Sequence, residues 1–239
     1  MASVPRVRPE RMLATINREL WGNHMASIDH GTQPVAASSP APGGPAPAGG
    51  VAWGNSAPLA LAGFATTTFM LSMINANLVS IGTLPVVFAV AFAFGGLAQL
   101  IGGVIQLRMG NTFGGMLFTG FGAFWLSFFA IGLFFAKEVP VTQLGHALGL
   151  FLYAFGIFTV VMIAASLRTS VAVVTTLTLL GVTFFVLGAG NYSASSGLVK
   201  TGGWIGLVVA AGAFYLALAE VCEASYGRMI LPLGSLAKK

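Results

Sequence analysis

The stretch GNSAPLALAGFATTTFMLSMINANL, residues 54–78, decides the fold class of this chain. It contains no charged side chain, and none occurs anywhere between Asp29 and Arg108. A soluble domain of that length needs charged groups to solvate its surface. In a bilayer the same gap is expected, because one charge at the centre of a spanning helix costs about 2.5–3.5 kcal/mol on insertion scales. The stretch therefore predicts a helix that crosses a membrane.

The composition of the whole chain agrees with this prediction. Of its 239 residues, 56% are hydrophobic and 7% are charged, and the mean hydropathy is +0.88. Soluble domains carry roughly 25% charged residues. The net charge is +5, but the basic residues are scattered, which argues against nucleic acid as a partner. The single cysteine, Cys222, excludes an intrachain disulfide.

Five further apolar segments follow the first, and each approaches the roughly 20 residues that a helix needs to cross about 30 Å of hydrocarbon. We therefore predict an all-α integral membrane domain over residues 53–236, with six transmembrane helices. The fourth and fifth segments meet at Arg168, so one long kinked helix is the alternative there. The predicted segments are 57–79, 85–107, 112–136, 145–167, 170–189 and 201–222.

Residues 1–52 differ in composition from everything that follows them. A basic start is succeeded by SSPAPGGPAPAGG, residues 38–50, a tract typical of a flexible or polyproline-like linker. We interpret residues 1–52 as a disordered cytoplasmic tail, with a surface helix over residues 12–21 as the alternative.

The orientation follows from the distribution of Lys and Arg. With six spans, every basic residue except Lys137 and Lys200 falls on the side of the two termini. The positive-inside rule therefore predicts that both termini are cytoplasmic in a multi-pass plasma-membrane protein.

The sequence offers no support for enzymatic or metal chemistry. His24, His30 and His146 do not converge with Cys or carboxylate residues at ligand spacing, so we expect neither a metal nor a cofactor. Glu220 and Glu223 fall at the end of the last segment near Arg228, where an interfacial ion pair is the favoured interpretation.

The segment starts suggest a binding chemistry and a weak internal repeat. Asn55 and Ser56 can cap the first helix, which has Pro58 in its first turn, and open N–H groups at a helix start suit a carboxylate. An ordinary cap is the alternative. Gly54-Asn55 precedes Gly63-Phe64 at nearly the spacing at which Gly110-Asn111 precedes Gly120-Phe121, and Leu180-Gly181 lies at a similar depth. This pattern suggests three two-helix units around one axis.

Uncharged polar residues within the membrane segments complete the candidate site. Thr67, Gln99 and Asn111 could contact a small polar solute, although a hydroxyl in a spanning helix usually bonds its own backbone or a neighbouring helix. A path built from such residues would be polar and neutral.

Five separated motifs follow one another along the chain, NSAPLALAGF (55–64), GNTFG (110–114), FGAFWLSFFAIG (121–132), GGWIGL (202–207) and YGRMILPLG (226–234). Together they resemble the acetate uptake transporter family of bacterial acetate/succinate transporters and fungal ammonia/acetate export proteins. The resemblance covers about residues 53–236 and implies a six-helix protomer, assembled as a homo-hexamer, that moves acetate and similar monocarboxylates with proton linkage.

The family pattern also implies a constriction and shows where this chain departs from it. The narrow apolar constriction of the family matches Phe64, Phe121 and Leu180, and many members have Tyr where Phe121 stands. Many members also have Glu where Gln106 stands. The signature N-P-x-P-x-G is changed here, because Ser56 replaces its first Pro and Ala60 its Gly.

Two rival functions remain open at this point. A pore for urea, short amides or undissociated acids is favoured by Phe121, by Gln106 and by the lack of a buried positive charge. The other rival is a non-transporting membrane protein with a signalling tail.

Overall fold

A computed structural model describes residues 53–236; residues 1–52, and with them the predicted tail, lie outside the described part of the chain, as do residues 237–239. The described part forms six helices that are long and apolar enough to cross a membrane, which confirms the predicted fold class. The fourth and fifth are separate helices. The six are α1 Ala57–Asn75, α2 Ile81–Arg108, α3 Thr112–Glu138, α4 Val141–Ser166, α5 Val171–Tyr192 and α6 Ser196–Tyr226.

Local backbone chemistry explains where the helix ends differ from the predicted ones. α1 ends at Asn75 rather than near residue 79, because Asn77 has a φ of 60° and leaves the helical region. α6 begins earlier and ends later than predicted. The Ser195 hydroxyl accepts a bond from the Leu198 N–H at its start, and Gly227 adopts a φ of 67° after its end.

Two of the helices contain π-helical turns, which often occur at functional sites. In α2 the π-helical segment Ala91–Ala98 ends directly before Gln99. In α3 the corresponding segment is Ile131–Phe135. Gln99 is 1% exposed, so the turn after the π-helical segment carries a buried amide.

Close helix crossings depend on glycine. α1 packs against α6 and α2, and α2 packs against α3. A Cβ on Gly63 would lie 2.5 Å from the Phe94 carbonyl oxygen, and one on Gly122 would lie 2.8 Å from the Leu100 nitrogen. Small residues that let backbones approach are typical of helix pairs in membranes.

The outer surface of the protomer is apolar. Leu150 and Ile157 on α4 are 69% and 62% exposed, and large hydrophobic residues are exposed on the other helices too. Such a surface is expected against lipid or against further subunits rather than against water.

The segment after α6 returns to the start of α5. The N–H groups of Val171 and Ala172 donate to the carbonyl oxygens of Gly234 and Leu233, and the Tyr215 hydroxyl donates to Pro232. These bonds satisfy donors that a helix start leaves open. The segment after α6 therefore fixes the first turn of α5, which lines the site described next.

Candidate functional site

A cavity of about 110 Å³ lies between α1, α3, α5 and α6, with Gln99 of α2 on its wall. We call it the apolar cavity, because most of its lining side chains are hydrophobic. The lining residues are Ala57, Leu61, Phe64, Gln99, Asn111, Phe113, Gly114, Leu117, Phe118, Phe121, Val173, Thr176, Leu177, Leu180, Ala213, Leu216 and Glu220.

The lining repeats along the three odd-numbered helices. Each places one lining residue seven positions before the predicted constriction residue and another three positions before it. Because 3.6 residues make one turn, these positions share one helix face. The sets are Ala57, Leu61 and Phe64; Gly114, Phe118 and Phe121; and Val173, Leu177 and Leu180. This spacing fits the predicted arrangement of three two-helix units around one axis.

The three predicted constriction residues lie together on the wall of the apolar cavity. Phe64, Phe121 and Leu180 are 6%, 2% and 4% exposed. The rings of Phe64 and Phe121 are 5.5 Å apart, and Phe121 also contacts Phe158 edge-on at 5.4 Å. Phe121 is therefore part of an aromatic cluster at the cavity.

The starts of the three odd-numbered helices are capped by their own side chains. The Asn55 Oδ1 accepts from the Ala57 N–H, Asn111 Oδ1 from the Gly114 N–H, and Ser170 Oγ from the Val173 N–H. The prediction that Ser56 caps α1 is wrong. Its hydroxyl instead donates to the carbonyl oxygen of Gly102, 2.8 Å away on α2.

The caps of α1 and α3 belong to one hydrogen-bond chain. The Asn111 amide donates to Gln106 Oε1 at 2.7 Å, and the Gln106 amide donates to Asn55 Oδ1 at 2.9 Å. The Asn55 amide then donates to Glu220 Oε2 at 2.8 Å. Glu220 is thus tied to two helix starts. The predicted ion pair between Glu220 and Arg228 is wrong, because Glu220 bonds instead to the neutral Asn55 amide.

Glu220 is a site residue that sequence reasoning assigned to the wrong environment. It is half-buried and lines the apolar cavity together with Ala213 and Leu216 on the same face of α6. The spacing of these three residues, three positions and then four, is the signal that could have placed Glu220 on this face.

The remaining predicted binding residues differ in their relation to the cavity. Gln99 and Asn111 line it, whereas Asn55, Pro58 and Thr67 do not. The fully buried Thr67 hydroxyl donates to the carbonyl oxygen of Gly63 in its own helix. The Gln99 Oε1 is buried and has no hydrogen-bond partner among the described residues. It is an acceptor that a ligand donor could use.

Polar side chains continue beyond the constriction toward the other end of the helices. Ser72 and Thr183, both buried, lie beyond Phe64 and Leu180, and both contact the position that a Cβ on Gly206 would take. Past them lies a second, open cavity of about 580 Å³, which we call the polar cavity. Its lining includes Asn75, Asn191, Ser195, Ser196 and Lys200. The two cavities sit at opposite ends of α1, α5 and α6.

Comparison with known proteins places this arrangement in a family. Residues 37–238 match the GPR1/FUN34/yaaH family. The chain belongs to this family.

Members of the GPR1/FUN34/yaaH family with assigned names are similar over most of the described region. Ammonia transport outward protein 2 of Saccharomyces cerevisiae is 39% identical over 74% of this chain and 65% of its own length, so the chain spans about two thirds of that relative. The succinate-acetate/proton symporter SatP of Escherichia coli is 35% identical over 75% of this chain and 95% of its own. The structure of the bacterial acetate channel SatP superposes with a TM-score of 0.72 at 34% identity, covering 77% of this chain and 100% of that one.

The family resemblance found from the sequence motifs is therefore confirmed. Ser56, Ala60 and Gln106, at which this chain departs from the family pattern, all lie where α1 packs against α2. The Gln106 amide donates to the Ser56 hydroxyl at 3.1 Å. A Cβ on Gly102 would lie 3.0 Å from the Ala60 methyl group. The start of α1 keeps its Asn55 cap and Pro58 in the first turn, so these departures leave the helix start intact.

Proposed function

We propose that this chain transports acetate and similar small monocarboxylates across the plasma membrane through a path between α1, α3, α5 and α6. The observation that carries the proposal is the convergence of Phe64, Phe121 and Leu180 with Gln99 and Asn111 on one cavity. An apolar ring excludes hydrated ions, while polar groups on either side can hold a small acid. The names of the similar proteins support the same substrate class.

We further propose the assembly and topology that accompany this function. A homo-hexamer is what the family resemblance implies, and the apolar outer surface, of which Leu150 and Ile157 are examples, is compatible with contacts between subunits as well as with lipid. Cytoplasmic termini are supported by the Lys/Arg distribution. Residues 1–52 are proposed to be a disordered tail and residues 53–236 the transport domain.

One observation keeps a neutral solute as the second candidate. Among the described residues, no Lys, Arg or His side chain lines the apolar cavity. Urea or a short amide would need no such charge, and the unpartnered Gln99 Oε1 could accept a bond from either.

Uptake of radiolabelled acetate and urea into proteoliposomes, compared with protein-free liposomes, tests the proposal. We expect protein-dependent uptake of acetate and none of urea. Protein-dependent uptake of urea alone would favour the second candidate, and uptake of neither would refute transport of this substrate class. Uptake is measured at about pH 6 and about pH 8, and protein-free liposomes at each pH give the passage of the free acid through lipid. Subtracting this blank leaves the protein-dependent uptake.

A further inference from the structure

The charge on the wall of the apolar cavity has the same sign as a carboxylate substrate. Glu220 is the one ionisable side chain in that lining, within the part of the chain that the structure describes. Two carboxylates held close together on an apolar wall do not both stay ionised, so one of them holds a proton. When the carboxylate of a substrate lies next to Glu220, one of these two carboxylates must therefore hold a proton.

The geometry around Glu220 fixes one of its oxygens. Asn55 Oδ1 already accepts bonds from the Ala57 N–H at 3.0 Å and from the Gln106 amide at 2.9 Å, so the Asn55 amide group is turned toward Glu220. It donates to Oε2, and Oε1 is not engaged by this bond. Gln106, at the centre of the chain of bonds, is an amide and does not change charge.

Few other charged groups approach Glu220. α6 packs against α1 and α5. α1 carries no titratable side chain, and Tyr192, the titratable residue of α5, lies at the opposite end of that helix. Toward the end of α6 and after it stand the exposed Glu223, the half-buried Cys222, and the exposed Tyr226 and Arg228. On α2 the exposed Arg108 lies two residues beyond Gln106.

Gln99 supplies a second group that suits a protonated substrate. Its Oε1 is buried without a partner among the described residues, and Gln99 lines the same cavity. A carbonyl oxygen accepts hydrogen bonds and cannot donate them, so this atom suits the O–H of an undissociated acid better than an ionised carboxylate.

Resting on the function proposed above, we propose that Glu220 is the proton-binding residue of the apolar cavity, and that a carboxylate substrate binds there only together with one proton. The proton comes from water at the mouth of the cavity. One O–H bond forms, either on Glu220 or on the substrate, and the proton lies in the hydrogen bond between the two carboxylates. The substrate passes on toward Gln99 as the neutral acid, and Glu220 is left ionised for the next proton.

The test measures binding directly, without flux. Purified protein is heated with and without acetate at about pH 6 and about pH 8, and the shift in melting temperature gives the apparent affinity. For a one-proton requirement, wild-type affinity for acetate should fall by up to about a hundredfold over these two pH units. E220Q keeps an acceptor for the Asn55 amide but cannot ionise, and its affinity should change less than about twofold. E220D keeps the carboxylate and should keep the wild-type pH dependence.

The matched control is E223Q, which removes a carboxylate from an exposed position on the same helix. E223Q should keep the wild-type ratio of acetate affinities at the two pH values. The proposal is overturned if E220Q retains the wild-type ratio of affinities, if E223Q loses that ratio to the same extent, or if wild type binds acetate equally at both pH values. Should E220Q not fold, loss of the pH dependence in E220D overturns the proposal and its retention supports it. A wild-type protein that neither binds nor transports acetate would refute the proposed function itself, which is a distinct outcome.

Discussion

The two cavities at opposite ends of α1, α5 and α6 differ in polarity and in the sign of their charge. The apolar cavity is lined by aromatic and aliphatic side chains and holds the acid Glu220. The polar cavity is lined by Asn and Ser side chains together with Ile74, Ala194 and Val199, and it holds the base Lys200. Between them lie the apolar ring and the buried hydroxyls of Ser72 and Thr183.

Under the proposed function, this difference lets one path treat the same substrate in two ways. An open, wet cavity with a cation attracts an ionised carboxylate at little desolvation cost. A small apolar cavity with an acid on its wall admits that carboxylate only when a proton accompanies it. On this account the polar cavity acts on encounter rate and the apolar cavity selects the species that passes.

The largest effect is expected at the apolar ring. Leu180→Ala should widen the path and raise the rate of lactate uptake relative to acetate by about tenfold, since one or two methylene groups in an apolar site discriminate by about 1–3 kcal/mol. Relative uptake of the two labelled acids measures this. The control is Val182→Ala, at an exposed position on the same helix.

Core packing alone would give a different result at Leu180. Truncation would then lower the free energy of unfolding by about 2–5 kcal/mol and reduce both uptake rates equally. Equal losses in the uptake rates of acetate and lactate would show that the apolar ring does not select between substrates. Phe121→Tyr sharpens the same point, because a hydroxyl beside Phe64 should favour acetate over lactate.

The next effect is expected at the mouth of the apolar cavity. Asn55→Ala removes the cap of α1 and the donor to Glu220 together. We expect the apparent affinity for acetate to weaken by about fivefold, because Glu220 loses the bond that positions it and α1 loses its cap. Saturation curves of uptake provide the measurement.

An exposed cap elsewhere serves as the comparison for Asn55. Ser80 accepts a bond from the Gly82 N–H between α1 and α2, far from the apolar cavity. Ser80→Ala should leave acetate affinity unchanged. If a well-folded Asn55→Ala protein also kept wild-type affinity, Asn55 would be an ordinary cap.

A smaller effect is expected at the polar cavity. Lys200→Gln should lower uptake at low acetate concentration by about twofold, because one exposed charge steers a carboxylate weakly and salt screens it within about 8–10 Å. The loss should shrink when ionic strength is raised. The control is Lys137→Gln, an exposed lysine outside the polar cavity, and an equal loss there would indicate a general charge effect.

The smallest effect is expected from the N-terminal tail. Removing residues 2–50 should leave uptake and assembly near wild type, because their composition offers too little apolar surface to offset the entropy of ordering. Uptake per amount of protein in the membrane, with assembly size checked by native electrophoresis, tests this. Lost uptake at normal membrane levels would reveal a functional element before residue 53.

The sequence predicted the helices better than the contacts at their ends. Charge-free runs such as residues 54–78 identify spans because hydrocarbon excludes charge along a whole helix. Helix bounds depend on single residues such as Asn77 and Gly227, whose φ values of 60° and 67° are not visible in a hydropathy pattern.

The candidate site was predictable in part for a similar reason. Phe64, Phe121 and Leu180 could be found because a repeat and a family resemblance both point to them, and the structure places them on one cavity. Glu220 lies 165 residues from Asn55 in the chain. The spacing of Ala213, Leu216 and Glu220 indicates a shared helix face, but neither periodicity nor spacing reveals a bond across that distance, so the partner of Glu220 required the fold.

The most direct test of the account is whether acetate passes through the apolar cavity. Ala213 lines that cavity and is 1% exposed, whereas Ala211 lies two residues earlier on an exposed face of α6. Ala213→Phe should fill much of the roughly 110 Å³ and reduce labelled acetate uptake by at least about tenfold in purified, folded protein. Ala211→Phe should transport as wild type does. Wild-type acetate uptake by a well-folded Ala213→Phe protein would contradict the account.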